Sequence, residues 1–190
     1  RLEEDKTGNL ESDEWPTTEK MIIKGQSFSL KIYAFKNKSQ NLSRSRPTDN
    51  YTRNEGILFT VNGQTQGDIP RRFFNKKNIG LSILAKSIIV MVDASNIDRE
   101  MNEELFMNSR DRLVEAGELR NEIDKKLERI LAEHKGLKEL KNKRYQEQIQ
   151  EKIGDSKPLK EIISNILKSS PTLSKIFISG TQINNPLDLR

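Results

Sequence analysis

The spacing of apolar residues predicts strands in the first half of the chain and helices in the second. Apolar residues alternate with more polar ones over residues 26–36, which predicts a strand with one fully buried face. Residues 56–63 predict a second strand that closes in a turn. Residues 88–92 form a continuous apolar run, which is typical of a strand covered on both faces.

Helical periodicity dominates from about residue 111 onward. A long helix is predicted over residues 111–134, with an apolar stripe formed by Leu119, Ile123, Leu127 and Leu131 and widened by Ala116 and Ile130. A second, very polar helix is predicted over residues 137–153, and its thin stripe should face the first helix: Leu137, Leu140, Tyr145, Ile149 and Ile153. His134 lies between them, where we expect it to cap the end of the first helix.

Strands followed by helices predict an α+β fold. We expect a two-layer sandwich of a small mixed β-sheet with helices on one face, followed by a helical C-terminal extension. Residues 1–20 are interpreted as a linker or exposed leading segment, residues 21–134 as the α+β domain and residues 135–190 as the extension.

Composition excludes several kinds of chemistry. The 190 residues include no cysteine, which excludes disulfides, thiolate metal sites and a cysteine nucleophile. The single histidine excludes a multi-histidine metal site and leaves little room for a Ser-His-Asp triad. No apolar run approaches the roughly 20 residues that span a bilayer, and no signal peptide is evident, so we expect a cytoplasmic protein without membrane contact. Because the chain opens with Arg1, we expect it to be part of a longer protein.

The net charge of +5 permits contact with nucleic acid without requiring it. Residues 37–54 are basic and lack an apolar period, so they form either a solvated connection or a loop that binds phosphates. Phe73 and Phe74 lie beside four cations, which indicates either a base-stacking patch or buried aromatics with cations facing water. The candidate nucleic-acid contacts are Arg44, Arg46, Arg71, Arg72, Lys76 and Lys77.

Two groups of residues could act on a phosphate or a cation. Asp93 and Asp98 follow the apolar strand and could bind Mg²⁺, although helix-capping acids in a turn are the favoured interpretation. Arg110 follows Asn108 and Ser109 at the predicted helix start, where a guanidinium can bind a phosphate bidentately. A surface arginine paired with a nearby glutamate is the alternative. The scattered glycines form no phosphate-cradling loop, so we do not expect this chain alone to be catalytic.

Three segments carry a resemblance to a known family: residues 24–35, 89–93 and 107–111. They resemble the middle, or transducer, domain of the GHKL ATPases, which include gyrase, MutL and the ninety-kilodalton heat-shock chaperone. The first is similar to the opening turn and strand of the chaperone's domain, and the second to its Val-Val-Asp strand. The third, Met107-Asn108-Ser109-Arg110-Asp111, is similar to its Leu-Asn-(Ile/Val)-Ser-Arg-Glu segment, with one residue fewer between Asn and Arg.

The resemblance implies a role for this chain in a larger bacterial, chaperone-like ATPase that uses ATP and Mg²⁺. Arg110, with Asn108 and Ser109, would contact the γ-phosphate of ATP bound mainly by a preceding nucleotide-binding domain, and the chain would relay the resulting conformational change. Gln64-Thr65-Gln66 is similar to the Gln-Thr-Lys loop of gyrase, with Gln66 in place of the lysine. A second subunit of a homodimer and DNA are further candidate partners. The alternative is a nucleic-acid-binding module without ATPase coupling.

Overall fold

A mixed sheet of five strands organises the fold. The structure is a computed structural model that describes residues 10–36, 48, 51–106, 113–114 and 116–154. Its strands are β1 (Thr17–Ile23), β2 (Gln26–Ala34), β3 (Glu55–Val61), β4 (Gln64–Pro70) and β5 (Ile88–Asp93). They lie in the order β1-β2-β5-β3-β4, in which β3 and β5 are parallel and the other neighbours antiparallel. The predicted α+β class with a mixed sheet is confirmed.

Two tight turns lie at the same edge of this sheet. Lys24-Gly25 joins β1 to β2 and Asn62-Gly63 joins β3 to β4, with positive φ angles of 47°, 79°, 51° and 76° along the two turns. Two-residue turns of this kind match the right-handed twist of the strands they join. Asp93, at the end of β5, lies opposite Ser29 of β2 and Thr60 of β3. We call this side, with both turns and the end of β5, the turn edge.

The helices follow the strands and cover one face of the sheet. They are a short 3-10 helix (Arg71–Asn75) before β5, then α1 (Arg99–Leu105), α2 (Glu118–Glu133) and α3 (Lys135–Gly154). The predicted start of the long helix at residue 111 is wrong, because Gly117 has a φ of 157° directly before α2 and Phe106 pairs with Leu113 as a β-bridge. The predicted stripe of α2 is buried in the core: Leu119, Ile123, Leu127 and Leu131.

Strand β5 is buried on both sides, as its continuous apolar run predicts. Ile88, Val90 and Val92 belong to the main core, which also contains the buried faces of α2 and α3. Ile89 faces the other side of the sheet, in a smaller cluster with Tyr33 and Phe35. The sheet therefore has a large core under the helices and a small core on its opposite face.

The boundaries of the domain differ from those expected. Leu10 forms a β-bridge with Phe35, and Trp15 is buried, so the residues before β1 belong to the folded body. At the other end, Leu137 and Leu140 are buried, whereas Tyr145 and Ile149 are 43% and 57% exposed. The chain divides into two compact units after residue 144, rather than after residue 134.

A buried ion pair joins the start of the described chain to α3. The side chains of Glu11 and Arg144 are 8% and 6% exposed, and Nη2 of the arginine donates to Oε2 of the glutamate. The same nitrogen lies 3.4 Å from the carbonyl oxygen of Phe35. Lys143 Nζ donates to the other carboxylate oxygen, Oε1, at 2.6 Å. One carboxylate thus holds two consecutive cations of α3 against the end of β2.

His134 occupies the junction between α2 and α3. The amide of Leu137 donates to His134 Nδ1 at 3.1 Å, so the imidazole caps the start of α3 rather than only ending α2. Since Nδ1 accepts, the neutral ring carries its proton on Nε2, which lies 3.0 Å from Thr17 Oγ1. The ring also stacks on Trp15 with centroids 5.8 Å apart. The predicted capping role is therefore found on the following helix.

This geometry predicts a loss of stability on mild acidification. Burial lowers the pKa of His134 below 6.5, against the opposing effect of the Glu19 carboxylate. The unfolded chain then binds the proton first, so stability is complete above about pH 6.5 and falls as the pH drops toward the folded pKa. Protonation of Nδ1 removes a cap worth about 1 kcal/mol.

Urea unfolding of the wild type and of His134→Asn tests this, because asparagine keeps a capping acceptor but does not titrate. The wild type should lose more stability than the variant between about pH 7.5 and 5.5. The carboxyl groups of Glu55 and Glu128 have lowered pKa values, so their contributions disappear below 4.5, outside this range. Equal losses in the two proteins would contradict the assignment.

Candidate functional site at the turn edge of the sheet

Neutral hydrogen-bonding side chains are displayed at the tip of the β3–β4 hairpin. Gln64 and Thr65 follow the Asn62-Gly63 turn directly and are exposed, and Gln66 is half-buried. Their backbones are fixed by pairing with β3, since Gln64 lies opposite Val61 and Thr65 opposite Thr60. An amide and a hydroxyl can donate hydrogen bonds to a phosphate but contribute no charge to its binding.

The connection between β5 and α1, residues 93–98, is held on one side by the β3–β4 hairpin. The Asn62 amide donates to Ser95 Oγ at 2.8 Å. Ser95 in turn donates to Asp93 Oδ1 through its hydroxyl and, at 3.0 Å, through its backbone amide. The backbone amide of Ala94 also donates to the Thr60 carbonyl at 2.8 Å. The residues after β5 therefore move with the hairpin turn.

The β1–β2 hairpin holds the same connection from the other side. Gln26 accepts from the Asp98 amide at 2.6 Å and donates through Nε2 to Asp98 Oδ2. Asp98 Oδ1 accepts from the Met101 amide at 2.8 Å and so caps α1. Further along α1, Glu104 lies 3.5 Å from Lys24 of the turn. Among the described residues, no cluster of three His, Cys, Asp or Glu side chains could hold a metal ion.

Asn108, Ser109 and Arg110 lie outside the described residues, but the residues that flank them are described. Phe106 and Leu113 form an antiparallel bridge and are 7% and 4% exposed. The Val114 amide donates to the Leu105 carbonyl at 3.0 Å. The Phe106 ring meets Phe59 of β3 edge to face, with centroids 6.5 Å apart. Both ends of the segment that contains Arg110 are therefore fixed to the sheet.

Arg71, one of the candidate nucleic-acid contacts, has a structural role. It is 7% exposed, and its guanidinium donates to Thr48 Oγ1 and, at 3.1 and 2.6 Å, to the carbonyl and Oγ1 of Thr52. The pKa of Glu55 is lowered by hydrogen bonds from its own and neighbouring backbone amides and by the charge of Arg71. Arg71 thus fixes the chain before β3 and does not contribute to an exposed basic surface.

The other basic candidates are divided between different environments. Phe73 and Phe74 are 4% and 0% exposed, so neither ring is available for stacking on a base. Lys76 lies 4.2 Å from the Phe73 ring centroid and pairs with Glu128 of α2 at 2.7 Å. Its hydrogen bond lowers the pKa of that carboxyl group. Arg72 and Lys77 are exposed, while Arg44 and Arg46 lie outside the described residues.

Sequence reasoning missed the three-way contact around residues 93–98 and the buried charge of α3. Gln26 and Ser95 sit in turns, where a polar residue gives no signal of its partner. Arg144 had a weak signal, because it extends the spacing of Leu137 and Leu140 along one face of the helix.

Comparison with known proteins gives no matching family model, no matching curated protein and no matching solved structure. The resemblance to GHKL transducer domains therefore rests on the three sequence segments alone. Within the part of the chain that the structure describes, no helix is both long and apolar enough to cross a bilayer.

Proposed function

We propose that this chain is the transducer domain of a larger GHKL-type ATPase, in which it contacts the γ-phosphate of ATP and relays the conformational change that follows. One observation carries the proposal beyond the resemblance. The Gln64–Gln66 hairpin tip and the flanks of the segment that contains Arg110 are connected to the same edge of one sheet. Glu104 of α1 lies beside Lys24, and Phe106 contacts Phe59.

ATP supplies an anionic γ-phosphate, and this chain supplies the groups that respond to it. Arg110 keeps its charge at all physiological pH values and forms charge-assisted hydrogen bonds to phosphate. A contact that is made only when the domains close biases the equilibrium between open and closed states. Gln64 and Gln66 add neutral hydrogen bonds. In this proposal the preceding domain holds ATP and Mg²⁺.

The fold offers a route from the phosphate contact to the helices. Leu113 follows the segment that contains Arg110 and is buried in the main core together with the stripe of α2. A displacement of this segment therefore acts on α2 through close-packed side chains, which transmit strain because interiors have few voids. The helices would carry the change to a second subunit or another partner.

Arg110→Ala in the full-length protein is expected to reduce ATP turnover by about tenfold or more, while ATP affinity changes by less than about twofold. The reason is that an interaction made only in the closed state contributes to turnover and not to initial binding. Steady-state turnover and equilibrium nucleotide binding measure the two quantities separately. Arg129→Ala, an exposed arginine on α2, is the matched control and should leave both unchanged.

Two outcomes would remove parts of this proposal. Normal turnover in Arg110→Ala would remove that arginine from the mechanism. A wild-type protein that hydrolyses no ATP, with or without duplex DNA, would contradict the ATPase assignment. The nucleic-acid alternative would then require salt-dependent binding that weakens in an Arg72→Ala/Lys77→Ala variant, since these are its exposed cations among the described residues.

A further inference from the structure

The connection between β5 and α1 is bonded to both hairpins of the turn edge. We infer that Ser95 is a positioning residue, which couples the tip of the β3–β4 hairpin to α1 and, through α1, to the segment after Phe106. This inference rests on the proposed function, because it assigns Ser95 a role in transmitting the phosphate contact. Ser95 itself does not touch the nucleotide.

The serine hydroxyl is used in both directions. It accepts a hydrogen bond from the Asn62 amide at 2.8 Å and donates one to Asp93 Oδ1. Asn62 is the first residue of the turn and has a φ of 51°, so its amide direction is set by a conformation that few residues adopt. An alanine at position 95 would lose both bonds, whereas a threonine can retain both.

The second half of the link runs through Asp98. Its carboxylate caps the Met101 amide and also accepts from Gln26, while its amide donates to Gln26 at 2.6 Å. The start of α1 is thus held by the β1–β2 hairpin and its preceding connection by the β3–β4 hairpin. A displacement of either hairpin tip is passed to α1, whose last residue, Leu105, pairs with Val114 on the far side of the Arg110 segment.

A purely structural role would have a different signature. Ser95 is half-buried and outside the hydrophobic core, so losing its two hydrogen bonds should lower stability by only about 1–2 kcal/mol. Positioning has a steeper effect on rate, because a displacement of about 1 Å in a reacting or binding group can reduce rates by up to about 100-fold. A fall in kcat that exceeds the change in stability therefore distinguishes the two roles.

The test compares Ser95→Ala and Ser95→Thr in the full-length protein, with Ser82→Ala as an exposed serine control. We expect Ser95→Ala to reduce kcat for ATP about tenfold, with KM within about twofold of wild type and a melting temperature only a few degrees lower. Ser95→Thr should restore most of kcat. Ser82→Ala should match the wild type in all three quantities.

The outcomes separate this inference from the function on which it rests. Loss of turnover in Arg110→Ala but full turnover in Ser95→Ala would leave the transducer assignment standing and overturn the role of Ser95. A loss in Ser95→Ala that threonine does not rescue, or that accompanies general unfolding, would overturn it in favour of a structural role. No ATP turnover in the wild type would overturn both proposals.

Discussion

Glu11→Leu is expected to lower the free energy of unfolding by about 3–5 kcal/mol, because it removes the carboxylate that faces a buried guanidinium. The side chains of Glu11 and Arg144 are 8% and 6% exposed, so water cannot replace the lost partner easily. The same carboxylate also binds Lys143 at 2.6 Å, so one substitution removes the counterion of two cations. Chemical denaturation of the variant and wild type measures the difference.

Arg144→Met should cost less than Glu11→Leu, since Lys143 can still neutralise the carboxylate. The Glu11→Leu/Arg144→Met double variant should regain much of the lost stability, because apolar side chains of similar volume often replace a buried ion pair without cost. Arg129→Met is the matched control: this arginine pairs with Glu133 on the exposed face of α2, with side chains 72% and 63% exposed. A Glu11→Leu variant as stable as this control would refute the prediction.

Gly56→Ala is expected to destabilise the protein by about 3 kcal/mol, near the upper end of the usual cost of overpacking a core. A Cβ atom at this position would lie 2.7 Å from Phe74 Cε2 and 2.8 Å from Arg71 Cα. The phenyl ring is fully buried, and the Arg71 amide is bonded to the Asn54 carbonyl at 2.9 Å, so neither neighbour can move freely. Thermal or urea unfolding would measure the loss.

Gly25→Ala separates this steric effect from the loss of a glycine as such. A Cβ atom at residue 25 would meet nothing within 4 Å, and its cost arises only from the positive φ of 79°. That cost is about 1–2 kcal/mol. If Gly56→Ala were no more destabilising than Gly25→Ala, close contact with the 3-10 helix would not explain the glycine in β3.

The strands were predictable because local alternation and turn residues determine them. The apolar run of β5 and the stripe of α2 show directly which residues are buried. The start of α2 was not predictable, since charged residues before Gly117 are compatible with a helix and the Phe106–Leu113 bridge leaves no periodic signal. The division after Arg144 was also missed, because Tyr145 and Ile149 look like buried stripe residues although they are exposed.

The candidate site was predictable only in part. The capping roles of Asp93 and Asp98 follow from their positions after a strand and before a helix, and the structure has them. The different fates of Arg71 and Arg72 depend on which of them faces Thr48 and Thr52, and adjacent arginines look alike in the sequence. Arg110 remains a prediction from the resemblance, to be decided by the turnover measurement.

The central position of β5 has a consequence for how the protein folds. The β1–β2 and β3–β4 hairpins each close through a local turn and can form early, as such units do within microseconds. Neither hairpin pairs with the other, because β5 lies between them and joins both. The sheet is therefore complete only when β5 inserts between two preformed halves, and its pairing with β2 closes a long loop of chain. Such non-local closure is slow, so insertion of β5 is the step that sets the folding rate.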